Sequence, residues 1–148
     1  MATRAKAKES DELIFGIKPY KATKTEKYMS SKQTKHFQSI LNAWRDSLIN
    51  ELNRTVHHIQ DETENHADPN DRASQETDFT LELRSRDRER KLLKKIDSSL
   101  TKLDKSDYGY CESCGEEIGL QRLEARPTAD LCIDCKSLAE IREKKIQT

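Results

Sequence analysis

The sequence is short of apolar residues: 33% of it is hydrophobic while 36% carries charge. Globular chains are nearer half apolar and a quarter charged, so this chain lacks the material for one large rounded core. It also lacks any apolar run approaching the length that spans a bilayer, and no apolar leader segment stands near its N-terminus. The expectation is a cytoplasmic chain with no membrane association, in which four cysteines are not structural disulfides. Net charge is absent as well, with 27 Lys and Arg against 27 Asp and Glu. That balance counts against bulk attraction to nucleic-acid phosphates.

What the sequence does hold is helical periodicity. The 148 residues leave room for one compact domain or for a small base carrying a rod. Apolar residues recur at Phe37, Leu41, Trp44, Leu48, Leu52, Val56 and Ile59, and again at Phe79, Leu83, Leu93, Ile96, Leu100 and Leu103. Steps of three and four mark one narrow stripe per helix, which predicts an antiparallel coiled coil over residues 31–105. Arg86 and Arg90 fall on that stripe as well, where polar residues cost stability and set register or open the coil locally. Each arm of roughly 35 residues reaches about 50 Å at about 1.5 Å per residue. Ser30 or Ser31 supplies the first N-cap. The outgoing helix is expected to run to about His66, and the returning one to about Ser106, before Tyr108 and Gly109.

The turn between the arms, near residues 67–73, is strongly acidic. From Arg54 to Glu82 eight acids stand against Arg54 and Arg72, whereas the stretch from Arg84 to Lys95 holds seven bases against Asp87 and Glu89. An acidic tip on a basic shaft points to a polar docking partner and away from DNA at that end. Asp68, Pro69 and Asp71 also fit a helix start as N-cap, N1 and N3 residues, an account that needs no function. His57 and His58 point about 100° apart on a helix and cannot chelate together, so they read as solvated histidines.

The clearest chemistry follows the shaft. Cys111-Glu112-Ser113-Cys114 and Cys132-Ile133-Asp134-Cys135 are two C-x-x-C pairs with 17 residues between them. That spacing predicts a four-thiolate zinc site, closed to water and therefore structural. A thioredoxin-like redox pair would need a βαβ context, which is absent. Ile118, Leu120 and Leu123 offer a small core to this base over residues 106–135. A short C-terminal helix from about Lys136 is expected to bury Leu138, Ile141 and Ile146. Residues 1–30 form an N-terminal segment, whose apolar patch at Leu13-Ile14-Phe15-Gly16-Ile17 is expected to pack on the base of the hairpin.

These motifs together resemble the DksA transcription factors. The resemblance covers about Tyr20 to Lys144 and rests on the two cysteine knuckles, the turn from Asp68 to Ala73 and the segment from Leu81 to Ile96. It implies a mainly α fold, a coiled-coil hairpin on a zinc base. The implied function is regulation: binding RNA polymerase, inserting the tip into its secondary channel, and altering open-complex stability together with guanosine tetraphosphate. In that family this represses ribosomal RNA promoters and activates some amino-acid biosynthesis promoters in the stringent response. The resemblance assigns the tip role to Asp68, Asp71 and Ala73, polymerase binding to Arg88, and an alarmone site shared with the polymerase to Leu92, Lys95, Arg126 and Lys136. It further implies a monomer with one structural zinc, no catalytic residues and no sequence-specific DNA binding. Asn70, between the tip aspartates, is a mild departure from the family pattern.

Two other classes compete on residues alone. A nucleic-acid-binding zinc protein would use the basic shaft and the Lys-rich N-terminus, and would show a steep salt dependence. A hydrolase would hold a metal on Asp68 and Asp71, but the turn offers no nucleophile or base partner, and two exposed carboxylates make a poor cage. Enhanced transcript cleavage by polymerase, with the tip acids lent to its metal, is not how the resembled family works.

Overall fold

The computed structural model describes residues 14–63 and 69–147, and the side chains among them other than those of residues 58–71. Its four helices in chain order are α1 Ser31–Thr63, α2 Pro69–Asp104, α3 Leu120–Ala125 and α4 Ile133–Ile146. The chain is thus mainly helical, with a coiled-coil hairpin (α1 and α2), a four-cysteine base and a short C-terminal helix. None of the helices in the described residues is long and apolar enough to cross a membrane.

Local chemistry sets the helix ends. Ser30 caps α1: its Oγ lies 3.5 Å from the Gln33 amide, and the Gln33 side chain reaches back to accept from the Met29 amide at 2.8 Å. This reciprocal pairing satisfies amides that the first turn would otherwise leave open. At the far end of α2, Asp107 N–H donates to Lys102 O at 2.9 Å and Ser106 N–H to Leu103 O at 3.2 Å. With Ser106 at φ 60°, this is a Schellman ending, in which a left-handed residue closes the last carbonyls. The helix therefore stops at Asp104, slightly before Ser106, and turns into Tyr108 and Gly109.

The core lies at the base of the hairpin, where α1 begins and α2 ends. Phe37, Ile40 and Leu41 of α1, Ile96 of α2 and Leu123 of α3 are all fully buried. Tyr108 joins them, its ring 5.6 Å from that of Phe37 and its hydroxyl donating to Pro127 O at 2.6 Å. Burial raises the Tyr108 pKa far above the usual phenol value, so the ring stays neutral and the bond intact. The N-terminal segment wraps this junction. Ile14 and Ile17 bridge to each other, Phe15 stacks on Trp44 at 5.5 Å, and the Tyr20 amide donates to Glu124 Oε1 at 2.9 Å. The same Glu124 oxygen lies 2.7 Å from His36 Nε2, so one carboxylate links that segment, α1 and α3. Gly109 permits the closest approach: at φ 91° a Cβ there would meet Met29 Cε at 2.9 Å, and only glycine tolerates both demands.

Higher up the shaft the seam departs from the expected one. Counting back from Leu103 and Ile96 in steps of three and four, the inward-facing residues of α2 are Leu93, Glu89, Arg86, Glu82 and Phe79, all partly buried. Leu83 is 52% exposed, as Leu81 is 58%, and Arg90 is also exposed. One residue of offset turns a side chain about 100° around the helix, which places Leu83 and Arg90 off the seam that Glu82 and Glu89 occupy.

The C-terminal helix also differs from expectation. It begins at Ile133, inside the second knuckle, and holds no buried residue; Leu138, Ile141 and Ile146 are exposed. Its partly buried residues are Cys135, Lys136 and Ala139, so its apolar side chains beyond them face outward. Helix α3, between the knuckles, is too short for periodicity to announce.

These placements have opposite energetic consequences. Phe37→Ala is expected to lower stability by about 3–5 kcal/mol through the cavity it leaves, whereas Leu83→Ala is expected to change it by less than about 0.5 kcal/mol. Urea unfolding followed by helical circular dichroism distinguishes the two. A large loss from Leu83→Ala would contradict the seam described here.

Candidate functional site

Two short knuckles bring the cysteines together. In the first, Gly115 N–H donates to Cys111 O at 2.9 Å and Cys111 N–H to Glu116 O at 2.8 Å, with Gly115 at φ 76° making the reversal that a side chain resists. The second is the start of α4, where Cys132 is the N-cap and its Sγ accepts from Cys135 N–H at 3.5 Å. Glu112 N–H donates to Asp130 O at 2.9 Å, joining the two halves. Lys102 at the end of α2 then bridges to the carboxylates of Glu112 and Asp130, the latter at 3.0 Å. Burial opposes the Lys102 charge, but its two carboxylate partners outweigh that effect and raise its pKa.

The four Sγ atoms lie within 4.8 Å of one another, and those of Cys114 and Cys132 are 3.7 Å apart. Thiolates about 2.3 Å from a tetrahedral metal are separated by about 3.8 Å, so the cluster fits one such ion. The thiols compete for charge without it. Backbone N–H bonding, that of Cys132 foremost, holds the Cys111 thiol down at about 6, whereas the neighbouring Cys132 and Cys111 push Cys135 up to about 12. A divalent ion relieves the competition by neutralising the thiolates it binds. All four positions of a tetrahedral ion would be filled by sulfur, which leaves no place for substrate or water.

Beside the metal centre is a basic pocket of ≈ 150 Å³ where α2, α3 and α4 meet, lined in part by Lys95, Arg122, Arg126 and Lys136. Lys95, Arg126 and Lys136 are thus brought together from positions up to 41 residues apart (136 minus 95). Leu92, one turn earlier on α2, does not line this cavity; it is partly buried against the core. Arg122 was not a candidate from sequence, yet it donates to Leu131 O at 3.0 Å and braces the pocket wall. Its position four residues before Arg126, on the same side of a helical turn, was the available signal. Lys136 also lies 3.8 Å from Glu140 on the next turn of α4.

The remaining candidates lie along the shaft. Arg88 is exposed on α2, and Ala73 is exposed two turns into it at most. Asp71 stands in the first turn of α2. Asp68, the side chain of Asp71, and with them the proposed cap of α2, lie outside the described residues, as does the side chain of His58. His57 is exposed and belongs to no group of three or more potential metal ligands among the described residues.

The described residues thus form a helical hairpin carried on a four-cysteine base. Comparison with known proteins narrows the class. Residues 33–103 match the family model described as the N-terminal domain of DnaK suppressor protein DksA. Residues 106–140 match the prokaryotic dksA/traR C4-type zinc finger. The chain is 63% identical over 133 residues to the RNA polymerase-binding transcription factor DksA of Haemophilus influenzae, covering 90% of this chain and 92% of that protein. It is 62% identical over the same length to that of Escherichia coli K12, covering 90% and 88%. The solved structure of transcription factor DksA2 from Pseudomonas aeruginosa superposes with a TM-score of 0.74 at 41% identity, covering 79% of this chain and 90% of that one. The chain belongs to the DksA family, whose members are regulatory factors and not enzymes.

The base should depend on its metal. Ion binding by such clusters contributes about 10–16 kcal/mol in small zinc peptides, comparable to the stability of a whole domain. Chelation, or Cys114→Ser, is therefore expected to abolish amide protection across residues 108–135. Unchanged protection and thermal unfolding after the metal is stripped would contradict a structural role.

Proposed function

We propose that this chain regulates transcription by binding RNA polymerase, with the hairpin tip inserted into the secondary channel and the base outside it. The carrying observation is identity above 60% across 90% of the chain with proteins named for polymerase binding. In this reading the metal is a single zinc held by Cys111, Cys114, Cys132 and Cys135, and it keeps the base folded and takes no part in chemistry. Asp68 and Asp71 bring negative charge to the channel interior, with Ala73 leaving room beside them, while Arg88 meets the polymerase along the shaft. The chain acts in the cytoplasm, as a monomer, and reads no promoter sequence itself.

Guanosine tetraphosphate would bind where the basic pocket faces the polymerase. Lys95, Arg126 and Lys136 supply two compact ammonium charges and one planar guanidinium, a donor set suited to pyrophosphate oxygens. Their convergence on one cavity supports this assignment; Leu92 would serve it as packing beneath Lys95. With the alarmone bound, the factor shortens open-complex lifetime, represses ribosomal RNA promoters and activates some amino-acid biosynthesis promoters.

Three measurements test these roles. Pull-down of core polymerase by the full chain should succeed without the alarmone and strengthen with it; no capture in either condition would defeat the proposal. Lys95→Ala and Lys136→Ala each remove a charge from the surface, so stability should change by less than about 0.5 kcal/mol. Each should weaken the alarmone effect while alarmone-free binding persists; equal loss with and without nucleotide would make the pocket a docking surface only.

The tip acids are tested by replacing both with asparagine, because Asn caps a helix about as well as Asp while Ala gives up about 1 kcal/mol. At Asp71 the lost interaction with the helix N-terminus is at most about 1 kcal/mol. Asp68→Asn with Asp71→Asn is expected to fold and bind polymerase normally yet fail to shift open-complex lifetime. Full regulatory activity in this double variant would reduce both acids to helix caps.

A further inference from the structure

The shaft contains a break in its own core. Among the described residues, the last buried apolar side chain going out along α1 is Leu48, and the first met returning along α2 is Ile96. Beyond them the inward positions of α2 pass from Leu93 to Glu89, Arg86 and Glu82, three ionisable residues in succession at seam positions. Glu82 Oε2, Arg86 Nε and Glu89 Oε2 are each cut off from solvent and have no hydrogen-bond partner among the described residues. They line a cavity of ≈ 290 Å³ together with Arg54 and Thr55 of α1.

Buried polar atoms left unpaired are costly, so groups of this kind hold water where room exists. A cavity this size admits several molecules at about 30 Å³ each. The two glutamates stand seven residues apart with Arg86 between them, about 10 Å along the helix axis, which is too far to share one cation. Charges of both signs line the cavity, so it attracts neither anions nor cations strongly. What remains is a hydrated polar layer that opens to solvent beside Arg54 and takes the place of apolar side chains on the α2 side of one stretch of the coil. Polar seam residues fix register while weakening the coil locally, and segments with few buried apolar contacts open at lower free energy than the core.

We propose that Glu82, Arg86 and Glu89, facing Arg54 across the coil, form a hydrated joint that divides the paired helices into a rigid lower shaft and a distal arm (α1 beyond Thr55 to Thr63, α2 from Pro69 to Leu81) that opens independently. The lower shaft moves with the metal base because Phe37, Ile96 and Leu103 belong to one core with Tyr108 and Leu123. Among the described residues of the distal arm, Val56 and Phe79 are only partly buried. Such a joint lets a tip adjust inside a confined channel while the basic pocket stays fixed, but its existence does not depend on the tip having any role there.

Amide hydrogen exchange on the full, zinc-loaded chain tests the joint directly. Peptides from residues 73–89 are expected to exchange at least about tenfold faster than those from residues 92–103, with the change concentrated between Glu89 and Leu92. Uniform protection along α2, or a smooth gradient of fraying from the turn with no step, would overturn the proposal. Replacing Glu82, Arg86 and Glu89 together with leucine should slow exchange in the distal arm by about tenfold and leave residues 92–103 unchanged. Should that variant self-associate, Arg86→Met removes one charge at similar length and should slow the same peptides about threefold. Distal exchange that neither substitution slows would show that the polar layer is not the cause.

Discussion

Phe37 fills the point where every part of this protein meets. It is fully buried between Ile96 of α2 and Leu123 of α3, and its ring lies against Tyr108 at the entrance to the cysteine base. Burial of this one cluster provides what a two-helix rod cannot provide for itself, a closed apolar volume shielded on all sides. The helices thereby acquire a defined origin and register, and the base acquires a floor. The cysteine cluster contributes from the other side, fixing the loops that carry Tyr108, Pro127 and the α3–α4 connection.

Because the core is confined to one end, the two ends obey different physics. Near the base, apolar burial, the Lys102 bridge to both halves of the metal region and the Glu124 link to His36 and Tyr20 hold the elements together. The basic pocket lies on this part, where Arg122 is held by Leu131 O and Lys136 lies near Glu140. Out along the shaft the inward positions of α2 are only partly buried and largely polar, and exposed pairs even lower down, such as Arg45 with Asp97 at 2.7 Å, contribute about 1 kcal/mol or less. A shaft of this kind presents charge at a distance and reaches where a rounded domain would not fit. Anchoring and reaching are thus separated along one hairpin.

Much of this was legible from residues alone, for physical reasons that also explain the misses. The cysteines declare themselves because tetrahedral coordination tightly constrains residue type and spacing. The hairpin declares itself because steps of three and four persist for many turns. Leu83 misled because an apolar residue is expected to face inward, while Glu82 beside it does so. Counting outward from Ile96 and Leu103, where packing is tight, reaches Glu82 and not Leu83. The exposed face of α4 was unreadable, since apolar residues at helical spacing signal a face that can be buried and do not say against what. Convergence of Lys95, Arg126 and Lys136 came from family resemblance; nothing local in the sequence brings three helices together.

The central claim is that the acidic end of the hairpin works inside RNA polymerase while the metal base remains outside. A photo-crosslinking amino acid placed at Ala73, exposed near the tip, and separately at Ser39, exposed near the base, measures this most directly. With core polymerase, the Ala73 probe is expected to crosslink to peptides bordering the catalytic centre, and the Ser39 probe to give none of those peptides. Crosslinks to the catalytic region from Ser39, or an Ala73 probe that reaches only the polymerase exterior, would contradict the account.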